Sequence, residues 1–375
     1  SPQVAQQQIT VTLSGLEPRQ YSIVVAPGLM SRLGEECAQV IAADAKILLL
    51  TDANLADRYL ETAMASLKAS GFDVFPLVIA AGEQSKSLSQ AQQVYETAMQ
   101  ANMTRKDAIL GLGGGVIGDL AGFCASTYHR GMGVIHVPTT LVAQVDSAIG
   151  GKTAVNFGQV KNIVGTFHQP LRVISDSTTL DTLPERELAA GMAEVIKYGL
   201  IETSCTGQDG FFQWLLDQAQ AGTLRANFTE MIRRCCEIKA AVVMQDELET
   251  KGLRFFLNLG HTFGHAYESL SEYGLLHGEA VAIGMLKALR LSVSLGMFPE
   301  TVETQLETLY RYTNLLGCVN RPLPYEPETL LGKMKLDKKN RDANIRLVLP
   351  SDTIGRVVVR DDVPDDTILK ILAQP

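Results

Sequence analysis

The chain has 375 residues, 46% hydrophobic content and a formal net charge of −8, which permits a large core and suggests two domains. The acidic balance argues against a nucleic-acid partner, and no apolar run approaches the roughly 20 residues that span a bilayer, so no membrane partner is expected. The six cysteines show no C-x-x-C spacing and the N-terminus lacks a charged-then-apolar signal pattern, so reduced thiols and a cytoplasmic location are expected.

In chain order, residues 8–25 read as two alternating strands with a turn at Ser14 and Gly15. Continuous apolar runs at 45–52, 73–79, 107–111 and 133–137 read as buried parallel strands. Helical patterns near 54–70, 87–101 and 115–128 lie between them. Such alternation predicts an α/β, Rossmann-like domain with a parallel sheet and helices on both faces, over residues 1–180. The texture changes at Pro184, where acids follow in the first turn of a helix. Helical periodicity then covers 185–203, 208–220, 225–245, 253–270, 276–297 and 300–317. A small hairpin is expected at 345–349 and 355–359, with a last helix after Pro364. Residues 181–375 therefore read as a second, all-helical domain with a late hairpin, and the cleft between the halves as the place for a ligand.

Four segments carry chemistry. Gly111, Gly113, Gly114, Gly115 and Gly118 follow an apolar strand and open a helix before Asp119. Glycines let backbone approach a phosphate, and the helix start offers free N–H groups. The next strand ends in Pro138-Thr139-Thr140 rather than an acid, so this reads as a pyrophosphate-binding turn outside the common dinucleotide fingerprint, against the plainer reading of a tight strand–helix turn. The stretch from Arg130 to Asn162 holds Asp146, Gly150, Gly151, Lys152 and Lys161. It reads as a long functional loop for an anion, against the plainer reading of a solvated loop. Glu194 and Lys197 lie at i,i+3, which alone could be a simple ion pair. Last, Glu249 leads into Arg254, Asn258, His261 and His265, expected along one helical side. His277 follows after a turn-like Glu272-Tyr273-Gly274, so three of the six histidines cluster here. Imidazole is the commonest metal ligand, while core or capping histidines are the bland alternative.

The chain resembles the 3-dehydroquinate synthases, sugar-phosphate cyclases of the shikimate pathway. The resemblance rests on Gly82-Glu83-Gln84, the glycine run through Asp119 to Phe123, Arg130-Gly131, Val137-Pro138-Thr139-Thr140-Leu141 and Gln144-Val145-Asp146-Ser147. It continues in Gly150-Gly151-Lys152, Lys161-Asn162, Ala193-Glu194-Val195-Ile196-Lys197-Tyr198-Gly199 and the run from Asn258 to His265. The resemblance implies a carbon–oxygen lyase acting on a phosphate. It would convert 3-deoxy-D-arabino-heptulosonate 7-phosphate to 3-dehydroquinate and phosphate. The steps implied are transient NAD oxidation, phosphate elimination, reduction, ring opening and intramolecular aldol closure. It also implies a homodimer.

By the same resemblance a divalent metal, zinc or cobalt, is expected on Glu194, His261 and His277. NAD is expected against Asp52, Asn54, Gly82, Glu83, Lys86, Gly114, Gly115, Asp119, Thr139, Thr140, Lys152, Lys161, Thr179, Leu180, Asp181 and Thr182. The sugar phosphate is expected against Arg130, Asp146, Lys152, Asn162, Lys197, Lys239, Arg254, Asn258, His265 and Lys338. Catalytic roles would fall to His265, Glu249, Lys152 and Asp146. The competing readings are a metal-dependent alcohol or glycerol dehydrogenase, another sugar-phosphate cyclase, and a metal-stabilised helical scaffold.

Overall fold

A computed structural model describes residues 7–13, 19–337 and 344–375. Strands β1 (Ser22–Ala26), β2 (Lys46–Asp52), β3 (Asp73–Ile79), β4 (Ala108–Gly113) and β5 (Gly133–Pro138) belong to one sheet. A short hairpin follows, β6 (Lys152–Phe157) and β7 (Val160–Phe167), and then β8 (Arg172–Asp176) rejoins the sheet. The six-stranded sheet is parallel throughout, in the order β1-β8-β5-β4-β2-β3.

Helices cover both faces, so the central strands need no polar side. In β2, Leu48 and Leu50 pack into one apolar cluster, while Ile47 and Leu49 pack into another. That is why β2 and β4 read as unbroken apolar runs. Pro76 lies in β3, an edge strand, where a missing N–H breaks no inner ladder. The chain moves outward from β2 to β3, then returns to place β4 on the other side of β2. The carboxyl ends of β2 and β4 therefore flank a topological switch point, where open α/β sheets bind ligands.

From Glu185 onward the chain is mainly helical: Glu185–Thr206, Phe211–Ala221, Phe228–Gln245, His261–Leu270, His277–Ser294, Val302–Tyr312, Pro327–Lys335 and Asp365–Leu372. The small late hairpin is present as antiparallel β9 (Leu347–Pro350) and β10 (Val357–Arg360). The helices share one apolar cluster that also takes Leu141, Val145 and Ile149 from the segment after β5. This shared core ties the two architectures together. Among the described residues, no helix is long and apolar enough to cross a membrane.

Several local expectations need correction. Of the two strands expected over 8–25, only β1 forms; residues 7–13 are exposed and irregular, and Ser14 and Gly15 lie outside the described residues. β1 pairs in parallel with β8, so its partner lies far along the chain and not across a turn. The long loop expected between Arg130 and Asn162 contains the β6–β7 hairpin. Its turn is Gly158-Gln159, both at positive φ (57° and 65°), with Phe157 opposite Val160. Two left-handed central residues match the twist of a tight hairpin, and the Lys, Asn and Gly content of the strands hid them. The helix expected over 253–270 is broken. Leu253–Asn258 is a 3-10 turn, and Gly260 at φ 79° redirects the chain before His261. Arg254 and Asn258 therefore do not continue the helical face of His261. The pattern at 300–317 likewise divides into Val302–Tyr312 and Leu316–Asn320, and a further helix forms at Pro327–Lys335.

Candidate active site

Glu194 sits in the middle of the Glu185–Thr206 helix, fully buried. His261 opens one helix and His277 opens the next, and these two helices pack antiparallel side by side. One ligand atom from each of Glu194, His261 and His277 lies within 4.8 Å of the others. Glu194 Oε1 is 3.5 Å from His277 Nε2 and 3.8 Å from His261 Nε2. Among the described residues that oxygen has no hydrogen-bond partner although it is buried. An orphan carboxylate oxygen costs free energy unless a cation or donor meets it.

The imidazoles are oriented from behind. His261 Nδ1 lies 3.1 Å from the Leu259 carbonyl, and His277 Nδ1 lies 2.8 Å from Glu268 Oε1. Each Nδ1–H donates outward, which leaves each Nε2 lone pair facing Glu194. Two imidazoles and a carboxylate with room for further ligands suit an open zinc-type site. Glu268 escaped the sequence reading, although it follows His261 and His265 at i+7 and i+3 on one helix face. His265 is partly exposed, and its Nδ1 is 3.4 Å from Asp337 Oδ2. Its ring centroid is 5.7 Å from that of His261 and 5.8 Å from that of His277. It borders the cluster without adding an atom to it.

Cationic groups gather beside these ligands. Lys197, fully buried, donates to Glu194 Oε2 at 2.6 Å. Lys239 donates to the Asp146 carboxylate and to its carbonyl. Burial works against ionising Asp146, but Lys239, Lys197 and His261 outweigh it and hold its pKa well below the usual carboxylate range. Lys152 pairs with Glu249, which also lies 3.5 Å from Arg254 Nε. Glu249 adopts φ 60°, a conformation a non-glycine residue holds at a cost. Arg254 is buried, donates to the Glu247 carbonyl at 2.6 Å and, among the described residues, leaves Nε without a hydrogen bond. Asn258 lies on the 3-10 turn that follows. Asn162, on β7, bonds through its backbone N–H to Asn156. Arg130 is exposed on the turn Tyr128–Arg130 with φ 62°, and no hydrogen bond or ion pair joins it to this cluster among the described residues. Lys338 lies outside the described residues.

Most residues expected near a nucleotide lie at or just beyond the carboxyl ends of β2, β3, β4, β5 and β8. Asp52 ends β2 and accepts from Asn54 and Leu55 N–H, capping the helix that follows. Gly114 caps, and Gly115 begins, the Gly115–Thr127 helix after β4. A Cβ on Gly113 would stand 2.7 Å from Ile117, and one on Gly114 would stand 3.1 Å from Thr140. The turn thus needs glycine to keep its shape and leave its N–H groups open. Lys86, buried, bonds Asp119 at 2.8 Å and lies 3.7 Å from Glu83, just beyond Gly82 at φ 111°. Burial raises the Asp119 pKa, with Lys86 opposing it. Thr139 follows β5, and its buried hydroxyl has no hydrogen-bond partner among the described residues. Thr140 caps the next turn by accepting from Ala143 N–H. Thr179 and Leu180 are buried after β8, while Asp181 and Thr182 are exposed, Thr182 meeting the Tyr59 hydroxyl. Lys161 is exposed on β7.

A switch-point glycine turn joined to a helical part that carries Glu194, His261 and His277 places the chain with the sugar-phosphate cyclases. A 2-epi-5-epi-valiolone synthase from Streptomyces hygroscopicus, solved with NAD+ and Zn2+, superposes with a TM-score of 0.82 at 28% identity, covering 96% of this chain and 98% of that one. A 2-deoxy-scyllo-inosose synthase complexed with carbaglucose-6-phosphate, NAD+ and Co2+ gives 0.78 at 26% identity, covering 93% and 95%. A probable glycerol dehydrogenase from Sinorhizobium meliloti shares the fold alone, at 0.61 and 18% identity. Family models for the N-terminal and C-terminal parts of 3-dehydroquinate synthase match residues 76–190 and 191–340. The 3-dehydroquinate synthase of Desulforamulus reducens is 44% identical over 362 residues, 95% of this chain and 97% of its own length. That of Bartonella tribocorum is 40% identical, covering 97% of each. The chain belongs to the 3-dehydroquinate synthase family.

Glycine at position 113 gives a direct check on the nucleotide turn. Gly113→Ala is expected to weaken NAD binding by about tenfold or more, since the Cβ clash is with β-branched Ile117 on the turn's own helix. Fluorescence titration with NAD measures it; unchanged affinity would show that the turn tolerates a side chain and does not hold the nucleotide closely.

Proposed function

We propose that this chain converts 3-deoxy-D-arabino-heptulosonate 7-phosphate to 3-dehydroquinate and inorganic phosphate, using NAD and a divalent metal, zinc or cobalt. The observation that carries this reading is the meeting of Glu194, His261 and His277 beside a dense set of cations, Lys152, Lys197, Lys239 and Arg254. A dehydrogenase acting on a neutral alcohol has no use for so many. Residues 1–180 are read as the nucleotide domain and 181–375 as the metal and substrate domain. Cytoplasmic location and a homodimer are part of the same proposal.

When bound, NAD supplies transient oxidation of a substrate hydroxyl, and the metal supplies Lewis-acid polarisation of that oxygen. The chain's own groups do the rest. Lys152 suits the phosphate, with Arg130 reaching it across the proposed homodimer, and the Arg254 guanidinium suits the carboxylate, which a planar fork can hold on two oxygens. Asn162, Asn258, Lys197 and Lys239 orient the remaining hydroxyls. Asp146, held ionised by its lysines, accepts hydrogen bonds and cannot donate one. His265, bordering the ligand cluster and facing Asp337, is placed to hold or move a proton. Glu249, between Lys152 and Arg254, can accept one.

The test is phosphate release from the heptulosonate phosphate, with and without chelator, while absorbance of NADH is followed. Phosphate release that stops on metal removal, with no NADH accumulating, is the expected result. Accumulating NADH would favour a dehydrogenase. No phosphate release with metal and NAD supplied would sink the proposal.

A further inference from the structure

The three grouped ligands are not equally secured. Glu194 lies mid-helix and fully buried. His261 is nearly buried and follows Gly260, where a Cβ would strike Met285 and the Val281 carbonyl at 2.6 and 2.8 Å. His277 is different. Its side chain is 44% exposed, and it is the first residue of its helix. The turn just before it includes Glu272 and Tyr273, both at positive φ (47° and 71°). Local conformation alone would leave that histidine poorly fixed.

Two contacts outside the ligand set hold it. Glu268, on the His261 helix, accepts from His277 Nδ1 at 2.8 Å and so selects the tautomer and ring angle. Glu279 accepts from Leu276 N–H at 2.8 Å, capping the helix start. Arg186 then grips Glu279 Oε1 at 2.7 Å and the Gly274 carbonyl at 2.9 Å. Arg186 rides on the helix that carries Glu194. The same two segments touch at Gly278, where a Cβ would stand 2.0 Å from the Ala190 carbonyl. Arg186 thus fastens the turn of His277 to the helix of Glu194 at a point of backbone contact.

We infer that Glu268 and the Arg186–Glu279 pair are positioning residues for the metal centre, and that they set its affinity through His277. The inference rests on the metal reading above. Outer-shell partners of this type are worth roughly 10–100-fold in metal affinity.

The experiment is zinc affinity of the full chain, by competition with a chromophoric chelator, alongside the visible spectrum of the cobalt form. His277→Ala, Glu268→Ala, Glu268→Gln and Arg186→Ala are compared with the parent chain. Glu268→Ala is expected to weaken zinc by roughly 10–100-fold. Glu268→Gln keeps an acceptor for the Nδ1 proton and should recover most of that loss. Arg186→Ala should weaken zinc by a smaller factor and shift the cobalt bands, while the far-ultraviolet dichroism of the metal-free protein stays unchanged. If Glu268→Ala fails to fold, Arg186→Ala decides. Parent affinity and an unshifted cobalt spectrum in Arg186→Ala, and in Glu268→Ala where it folds, with weakened zinc in His277→Ala, overturn this inference alone. Undiminished zinc in His277→Ala overturns the metal reading itself.

Discussion

Replacing His261 by alanine is expected to strip the metal, whereas replacing His265 by alanine keeps the metal and stops turnover. The two residues sit one helical turn apart on the same face, so spacing alone would treat them alike. Their surroundings differ. His261 turns Nδ1 to the Leu259 carbonyl and presents Nε2 to Glu194. His265 turns Nδ1 toward Asp337 and contributes nothing to the ligand triangle. Loss of a direct ligand should exceed the roughly 10–100-fold that an outer-shell partner costs. Loss of a positioned acid–base group typically costs about 10²–10⁴ in rate. Metal content by atomic absorption, paired with phosphate release, separates the two. Equal loss of metal in both variants would place both histidines on the ion.

Gly284→Ala is expected to damage fold and metal centre together. A Cβ there would stand 1.9 Å from the Gly260 carbonyl and 2.8 Å from Gly264 N. Both obstacles are backbone, so no side-chain rotation relieves them. The clash lies between the helices that carry His261 and His277, and separating them separates the ligands. Overpacking of this type costs about 1–3 kcal/mol, sometimes more. Gly332→Ala is the matched control, since nothing lies within 4 Å of its added Cβ and it sits inside a helix. There the change should be neutral or slightly stabilising, by up to about 1 kcal/mol. Urea unfolding of the metal-free chains and chelator competition report the two effects. A parent-like midpoint with undiminished zinc in Gly284→Ala would mean the helix contact is not tight.

The legible parts of the chain were those governed by short-range physics. Unbroken apolar runs such as Ile47 to Leu50 report a strand buried on both faces. Pro184 followed by Glu185 and Glu187 marks a helix start, and the helix begins there. The hairpin around Gly158 is not legible because β7 is largely exposed on both faces and rich in polar residues and glycine, so composition speaks for a loop. The break at Gly260 was missed because periodicity runs across it, while one left-handed residue is enough to turn the chain. At the site, the histidines and glycines announced themselves by type and spacing. Glu268 and Arg186 did not, since ordinary acids and arginines on helices are common and only their partners give them meaning.

By itself the sequence determined the alternation of strand and helix, the glycine turn after β4, and the kinds of group available for metal and anion. Those follow from residue type and from periods of two and 3.6, which act over a few residues. Residue pattern alone did not bring Glu194 to His261 and His277 or set His265 aside; the family resemblance implied it, and the tertiary structure shows the three ligand atoms together and Glu249 between Lys152 and Arg254. The physical reason is helix packing. Which faces of separate helices meet depends on close contacts such as Gly278 on Ala190 and Gly284 on Gly260, and no local pattern encodes those distances.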